Sequence, residues 1–256
     1  MNIIISGYGR MGRHVEKIAL QRGHAIAAII DNADDFKRHQ ARIAAADVAI
    51  DFSMPAVVAD NILRFFEANI PVVVGTTGWY ERFEEIEKQC IDKKQSLLYG
   101  TNMSLGVNLF FELNRMLAKV MRPYPDYRPS VEETHHIHKK DAPSGTAITL
   151  ANDILQQYDD LSGWMLTSFD EMSGKTSGNI SDETFGKLPV TAFREGEVVG
   201  THEIKYRSPV DEIVIRHAAF SREGFALGAV CAAEWLPGHV GVFTMKDVIM
   251  YGKSTY

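Results

Sequence analysis

Asn2-Ile3-Ile4-Ile5-Ser6-Gly7-Tyr8-Gly9-Arg10-Met11-Gly12 opens the chain and decides its fold. Residues 2–6 are a short β-branched apolar run, as a buried parallel strand requires. The run ends in a glycine turn. Val15, Ile18 and Ala19 then recur on one side of a helical pattern, with Arg13, Lys17 and Arg22 available for solvent. Gly23 closes the helix, and a second apolar run from Ala25 to Ile30 ends at Asp31. Strand, glycine turn, helix, strand and acid is the setting in which G-x-G-x-x-G carries meaning. Gly7 permits the tight turn, Gly9 lets the backbone approach a pyrophosphate, and Gly12 lets the helix pack on the sheet. Asp31 is spaced to accept both ribose hydroxyls of an adenosine.

Outward from that unit the rhythm continues. Strands are expected at 48–53, 71–74 and 96–99, with a Pro55-initiated helix to about Asn69 and an amphipathic helix from about Tyr80 to Lys94. Loops at the carboxyl ends of such strands line the ligand crevice. This places Gly7, Tyr8, Gly9, Arg10, Met11, Gly12, Asp31, Ser53, Gly75, Thr76, Thr77, Gly100, Thr101, Asn102 and Met103 along one edge. A carboxylate at Asp31 repels a 2′-phosphate, so NADH is favoured and NADPH is the alternative if Lys37 and Arg38 fold back.

Past residue 104 the pattern changes. Residues 106–121 read as a helix with Leu109, Leu113, Met116, Leu117 and Val120 on its apolar side. Three prolines then forbid continuation. Ser130–His136 reads as a strand and Thr146–Tyr158 as a helix. A Ser/Gly/Thr-rich stretch from about Asp159 to Lys187 reads as a loop or arm. Strands return from Val190, and a helix over Gly224–Trp235 precedes the TMKDVI segment. The expected fold class is α/β: a Rossmann-type doubly wound parallel sheet plus an α+β domain with an open mixed sheet. Residues 1–104 and 222–256 form the dinucleotide-binding domain, with 105–221 inserted for substrate binding and oligomerisation.

A formal charge of −6 opposes nonspecific contact with nucleic acid or acidic membrane. Two distant cysteines, Cys90 and Cys231, give no disulfide framework or zinc cluster, and fit a reducing compartment. The first residues lack the features of a signal peptide, and a cytoplasmic location is expected.

Five of the six residues from His135 to Lys140 are His or Lys, and they run into Asp141-Ala142-Pro143-Ser144-Gly145-Thr146. An acidic small molecule that needs both charge neutralisation and a proton accounts for such a cluster. Ser144 can cap a following helix whose first amides face an anion. No ligand set has metal spacing, so no metal is expected.

GYGRMG at 7–12, GTTG at 75–78, TNMSLGVN at 101–108, ETHHIHKKDAPSGTA at 133–147, REGEVVGTHEI at 194–204 and the TMKDVI tail together resemble the 4-hydroxy-tetrahydrodipicolinate (dihydrodipicolinate) reductase family of lysine and diaminopimelate biosynthesis. The resemblance implies a pyridine-nucleotide-dependent reductase, usually a homotetramer, acting on a small cyclic imine that carries two carboxylates. It implies that His135 and Lys139 are catalytic, and that His136, Gly145 and Thr146 hold substrate. Met103 replaces a phenylalanine that many members carry, and the segment after the second strand is shorter than in many. Another imine reductase or amino-acid dehydrogenase on the same scaffold, and a non-catalytic nucleotide sensor, are the alternatives. His138, His202 and His217 receive no assignment from the sequence.

Overall fold

A computed structural model describes residues 1–170, 175–177 and 186–251. The chain divides into two compact units, Met1–Asn108 with Glu223–Tyr256, and Leu109–Arg222.

The first unit is built on a six-stranded parallel sheet. Its strands are β1 (Asn2–Ser6), β2 (Ala25–Ile30), β3 (Val48–Asp51), β4 (Val72–Val74), β5 (Ser96–Tyr99) and β12 (Gly241–Thr244), in the order β12-β5-β4-β3-β1-β2. Alternate residues of each strand feed two separate cores. Ile3, Ile5, Ile50, Val73 and Leu98 pack with α1 (Arg10–Gln21) and α8 (Glu223–Trp235). Ile4, Ala49, Val72, Val74 and Leu97 pack with α4 (Pro55–Glu67) and α5 (Phe83–Asp92). Burial on both faces is why these strands read as unbroken apolar runs. Two short helices, α2 (Ala33–Arg38) and α3 (Gln40–Ile43), link β2 to β3, and a 3₁₀ turn at Tyr80–Arg82 precedes α5.

Gly7 has φ +83°, and a Cβ there would lie 2.5 Å from the carbonyl oxygen of Phe52. A Cβ on Gly12 would lie 2.2 Å from the Gly7 carbonyl oxygen. Gly7 and Gly12 are therefore wedged between α1 and the loop after β3, where no side chain fits at either position.

The second unit is a mixed sheet backed by helices. Its strands are β6 (Arg128–His135), β7 (Gly163–Asp170), β9 (Lys187–Arg194), β10 (Gly200–Arg207) and β11 (Glu212–Ala219), with β8 (Lys175–Ser177) at one edge, in the order β11-β10-β6-β9-β7-β8. β6 and β7 run parallel to β9, while β10 runs antiparallel to β6 and β11. The helix α7 (Gly145–Leu155) buries Ala147, Leu150, Ala151 and Ile154. β7 corrects the loop expected after Asp159: Gly163–Thr167 pairs with Lys187–Thr191. The remainder of that expected loop includes residues 171–174 and 178–185, which lie outside the described residues.

The helix α6 (Leu105–Met121) turns the other way from the sequence expectation. Leu109, Leu113, Met116 and Val120 are 44–64% exposed, while Phe110, Phe111, Asn114, Ala118 and Met121 are buried. The helix is apolar on more than one side, so periodicity cannot choose the inner face. Two phenylalanines bury more area than the leucines, and Asn114 donates from Nδ2 to the Leu150 carbonyl, 3.0 Å away.

The helix α9 (Met245–Tyr251) ends the described chain. Among the described residues no helix is long and apolar enough to cross a membrane.

Candidate functional site

In the first unit a cleft of about 620 Å³ opens at the carboxyl ends of β1, β2 and β3, lined by Gly7, Gly9, Asp31, Asn32, Ser53 and Arg64 among others. Asp31 Oδ1 accepts from the Tyr8 amide at 2.9 Å, which ties the acid to the glycine turn. Gly9 caps α1 with no side-chain hydrogen bond, and a Cβ on it would meet nothing within 4 Å. The helix start is thus left open for an anion.

Beneath the cleft lies Asp51, completely buried at the end of β3. Its Oδ1 accepts from the Ser53 amide (3.0 Å), Ser53 Oγ (2.8 Å) and Thr76 Oγ1 (2.8 Å). Its Oδ2 accepts from Ser6 Oγ (2.6 Å) and Asn61 Nδ2 (3.2 Å). One carboxylate therefore joins β1, α4, the loop after β3 and the GTTG loop. Thr76 turns inward to this network while Thr77 is exposed. The Met103 side chain is buried against the α8 side of the sheet, and its Sδ would lie 3.0 Å from a Cβ on Gly100 in the loop after β5. Arg38 pairs with Asp35 at 2.9 Å. Arg64, which no motif flags, lies over the Phe36 ring at 4.9 Å and reaches the cleft.

In the second unit strand alternation collects the chemistry. Pro129, Val131, Glu133 and His135 share the buried face of β6, and Gly200, His202, Ile204 and Tyr206 that of β10. The register sets Glu133 beside His202, His202 beside His217, and His135 beside Arg194 on β9. A Cβ on Gly200 would lie 3.1 Å from His135 Nε2, so glycine leaves room for that ring.

Glu133 is the hub of this face. It accepts from the Ser144 amide at 3.0 and 3.1 Å, and lies 3.4 Å from Arg194 Nη1, 3.5 Å from His135 Nδ1 and 3.6 Å from His202 Nε2. Burial opposes its ionisation, yet hydrogen bonds from His202 and Ser144 and the neighbouring His135 outweigh it and hold the carboxyl down to about 2. His135 responds oppositely. Burial, with repulsion from His202, Lys139 and Arg194, outweighs attraction to Glu133 and pushes the imidazole down to about 4. It is neutral at ordinary pH. The cationic cluster of the sequence thus divides on folding. His135 is a buried neutral base. His138 is exposed and 3.1 Å from Glu197. Lys139 is half-buried, with Nζ donating to both Asp141 oxygens at 2.8 and 2.9 Å. His136 is half-buried, its ring 6.0 Å from that of His138.

Ser144 caps α7, accepting from the Ala147 amide at 3.2 Å. A Cβ on Gly145 would meet nothing within 4 Å, and Thr146 follows in the first turn. Glu133, His135 and His202 bring donor atoms within 4.8 Å of one another, the donor types of a metal site. The carboxylate is already engaged by an amide and flanked by a guanidinium, which would repel a bound cation.

Comparison with known proteins accounts for both units. Residues 1–103 match the family model described as dihydrodipicolinate reductase, N-terminus, and residues 106–249 match dihydrodipicolinate reductase, C-terminus. The chain belongs to the dihydrodipicolinate reductase family. It is 47% identical over 249 residues to the 4-hydroxy-tetrahydrodipicolinate reductase of Christiangramia forsetii, covering 97% of this chain and 98% of that one. The enzyme of the same name from Methanopyrus kandleri is 37% identical over 81% of this chain and 73% of its own. A solved dipicolinate-bound dihydrodipicolinate reductase from Paenisporosarcina sp. TG-14 superposes with a TM-score of 0.73 at 18% identity, covering 95% and 97% of the two chains. At that identity the last match speaks for the fold alone.

Glu133, Arg194, His202 and Asp51 were not selected from the sequence. Strand alternation from His135 back to Glu133 was the available signal for the first. Arg194 and His202 come from other strands, and only the register brings them to Glu133.

Proposed function

We propose that this chain reduces 4-hydroxy-tetrahydrodipicolinate to tetrahydrodipicolinate in diaminopimelate and lysine biosynthesis, as an NAD(P)H-dependent oxidoreductase. Family membership over nearly the whole chain carries this reading. The residues fit a dinucleotide: a turn that excludes side chains at Gly7 and Gly12, an open helix start at Gly9 and an acid at the cleft. The glycine turn, Asp31, Gly75–Thr77 and Gly100–Met103 would hold it. When bound, the reduced nicotinamide supplies a hydride. Asp31, exposed at the cleft rim, favours NADH through repulsion of a 2′-phosphate. The engagement of Arg38 by Asp35 removes one candidate counter-charge.

The second unit binds the substrate and supplies the proton. Gly145 and Thr146 present the start of α7 to one carboxylate. Lys139 and His136 neutralise the anion; with the 4-hydroxyl lost from the ring as water, Lys139 passes a proton from Nζ to the ring carbon that carries the developing negative charge. His135 stays neutral in the free protein and acts as a hydrogen-bonding base that orients substrate. Binding of a dianion beside it favours its protonated form, which gives it a second role as acid. The sheet face opposite α7 carries Glu132, Glu203, Lys205 and Arg216 in one ion network with exposed Val214 beside it. This face is the proposed contact of a homotetramer.

The test is oxidation of NADH or NADPH with substrate generated fresh from pyruvate and aspartate semialdehyde. Turnover that depends on both precursors is expected, with higher kcat/KM for NADH. Absence of turnover with either cofactor overturns the function, and a strong preference for NADPH overturns the role of Asp31.

A further inference from the structure

We infer that the pair of buried Glu133 and half-buried Arg194 is a positioning device, which sets the spacing between Lys139 and the start of α7. This rests on Lys139 being the proton donor. Arg194 stands on β9 directly beside His135. Its guanidinium donates from Nε to the Lys139 carbonyl (3.3 Å), from Nη2 to the Asp141 carbonyl (2.6 Å) and from Nη1 to the Phe193 carbonyl (2.7 Å). The same group faces Glu133 Oε1 at 3.4–3.5 Å. Glu133 in turn holds the Ser144 amide. One charge pair therefore clasps both ends of residues 139–144. Lys139 and Asp141 already share an ion pair through their side chains, and Arg194 holds the carbonyls of both.

The pair is poorly explained as a fold-holding contact alone. β6 and β9 are joined by a ladder from Val131–Val190 to His135–Arg194, and α7 is seated by its own apolar face. Neither holds the 139–141 carbonyls. A planar fork with five donors reaches three carbonyls and a carboxylate together, which an ammonium cannot. Free of that grip, the ammonium would wander from the reacting carbon by the order of an ångström, a displacement that costs up to about 100-fold in rate.

A positioning role acts through Lys139, so it predicts non-additivity. Arg194→Lys keeps the charge beside Glu133 and removes the fork. It should lower kcat by about 30–100-fold, with KM for the cofactor within about twofold. In a Lys139→Ala background the same change should cost less than about twofold. Glu133→Asp, which keeps the charge but retracts it from the Ser144 amide, is a second arm, with a loss of about tenfold that likewise vanishes without Lys139. Equal losses in both backgrounds, or wild-type kcat in Arg194→Lys and Glu133→Asp, would overturn the inference while leaving Lys139 catalytic. Wild-type turnover in Lys139→Ala alone would instead overturn the proton-donor reading, and the inference with it.

Discussion

Asp51 and Glu133 are both buried carboxylates on strands, one in each unit, and their surroundings differ in kind. Among the described residues, Asp51 meets only neutral donors: three hydroxyls, an amide side chain and a backbone N–H. Glu133 meets a guanidinium and two imidazoles as well as a backbone N–H. Neutral donors fix the geometry of the loops they belong to, and their ionisation does not vary with pH. Charged and titratable partners tie the geometry of one site to its protonation state. The first arrangement suits a cofactor platform, and the second suits a place where a proton must move.

Glu133→Gln tests this contrast most severely. It leaves the half-buried Arg194 without its counter-charge, and should cost about 3 kcal/mol of stability by urea denaturation. Lys139→Ala comes next. It removes the mobile proton and should lower kcat by about 10²–10³ with cofactor affinity unchanged, as read by steady-state kinetics and direct NADH titration.

The pH dependence of stability sharpens the comparison. His135 titrates near 4 when folded against 6.5 for a free imidazole, so acid favours the unfolded chain as pH falls from 6.5 towards 4. Glu133 titrates near 2 against 4.5, so its contribution is present above pH 4.5 and fades as pH falls towards 2. Both losses have the same sign, and together are on the order of a few kcal/mol. Chemical denaturation between pH 7 and 3 should show this fall, and His135→Gln should flatten its upper part.

Asp51→Asn has the smallest expected effect. One accepting oxygen becomes an NH2 that cannot accept from the donors on its side of Asp51, costing about 1–3 kcal/mol. It should weaken cofactor binding through Ser53 and Thr76 while leaving substrate KM unchanged, as separate titrations of the two ligands would show.

Much of this was legible beforehand because it rests on local patterns. Ile3–Ile5 and the glycines fix a strand and a turn within a few residues, and Ser144 signals the start of α7. The Met103 side chain packs in the core while staying beside Gly100 of its own loop, a placement that no local pattern shows. The inner face of α6 went to Phe110 and Asn114 rather than the leucines, a choice made by neighbours such as the Leu150 carbonyl. Residues 163–167 were hidden as a strand because their partners on β9 lie more than twenty positions away.

The sequence by itself determined the parallel-sheet unit, the helix starts and the basic segment, since each depends on the periodicity and turn chemistry of neighbouring residues. Tertiary structure alone decided that burial holds the His135 imidazole in its neutral form, and that Arg194 grips the loop bearing Lys139. The physical reason is that solvation and charge depend on which groups meet in space. Glu133, Arg194 and His202 meet only through strand pairing, which their separation along the chain does not reveal.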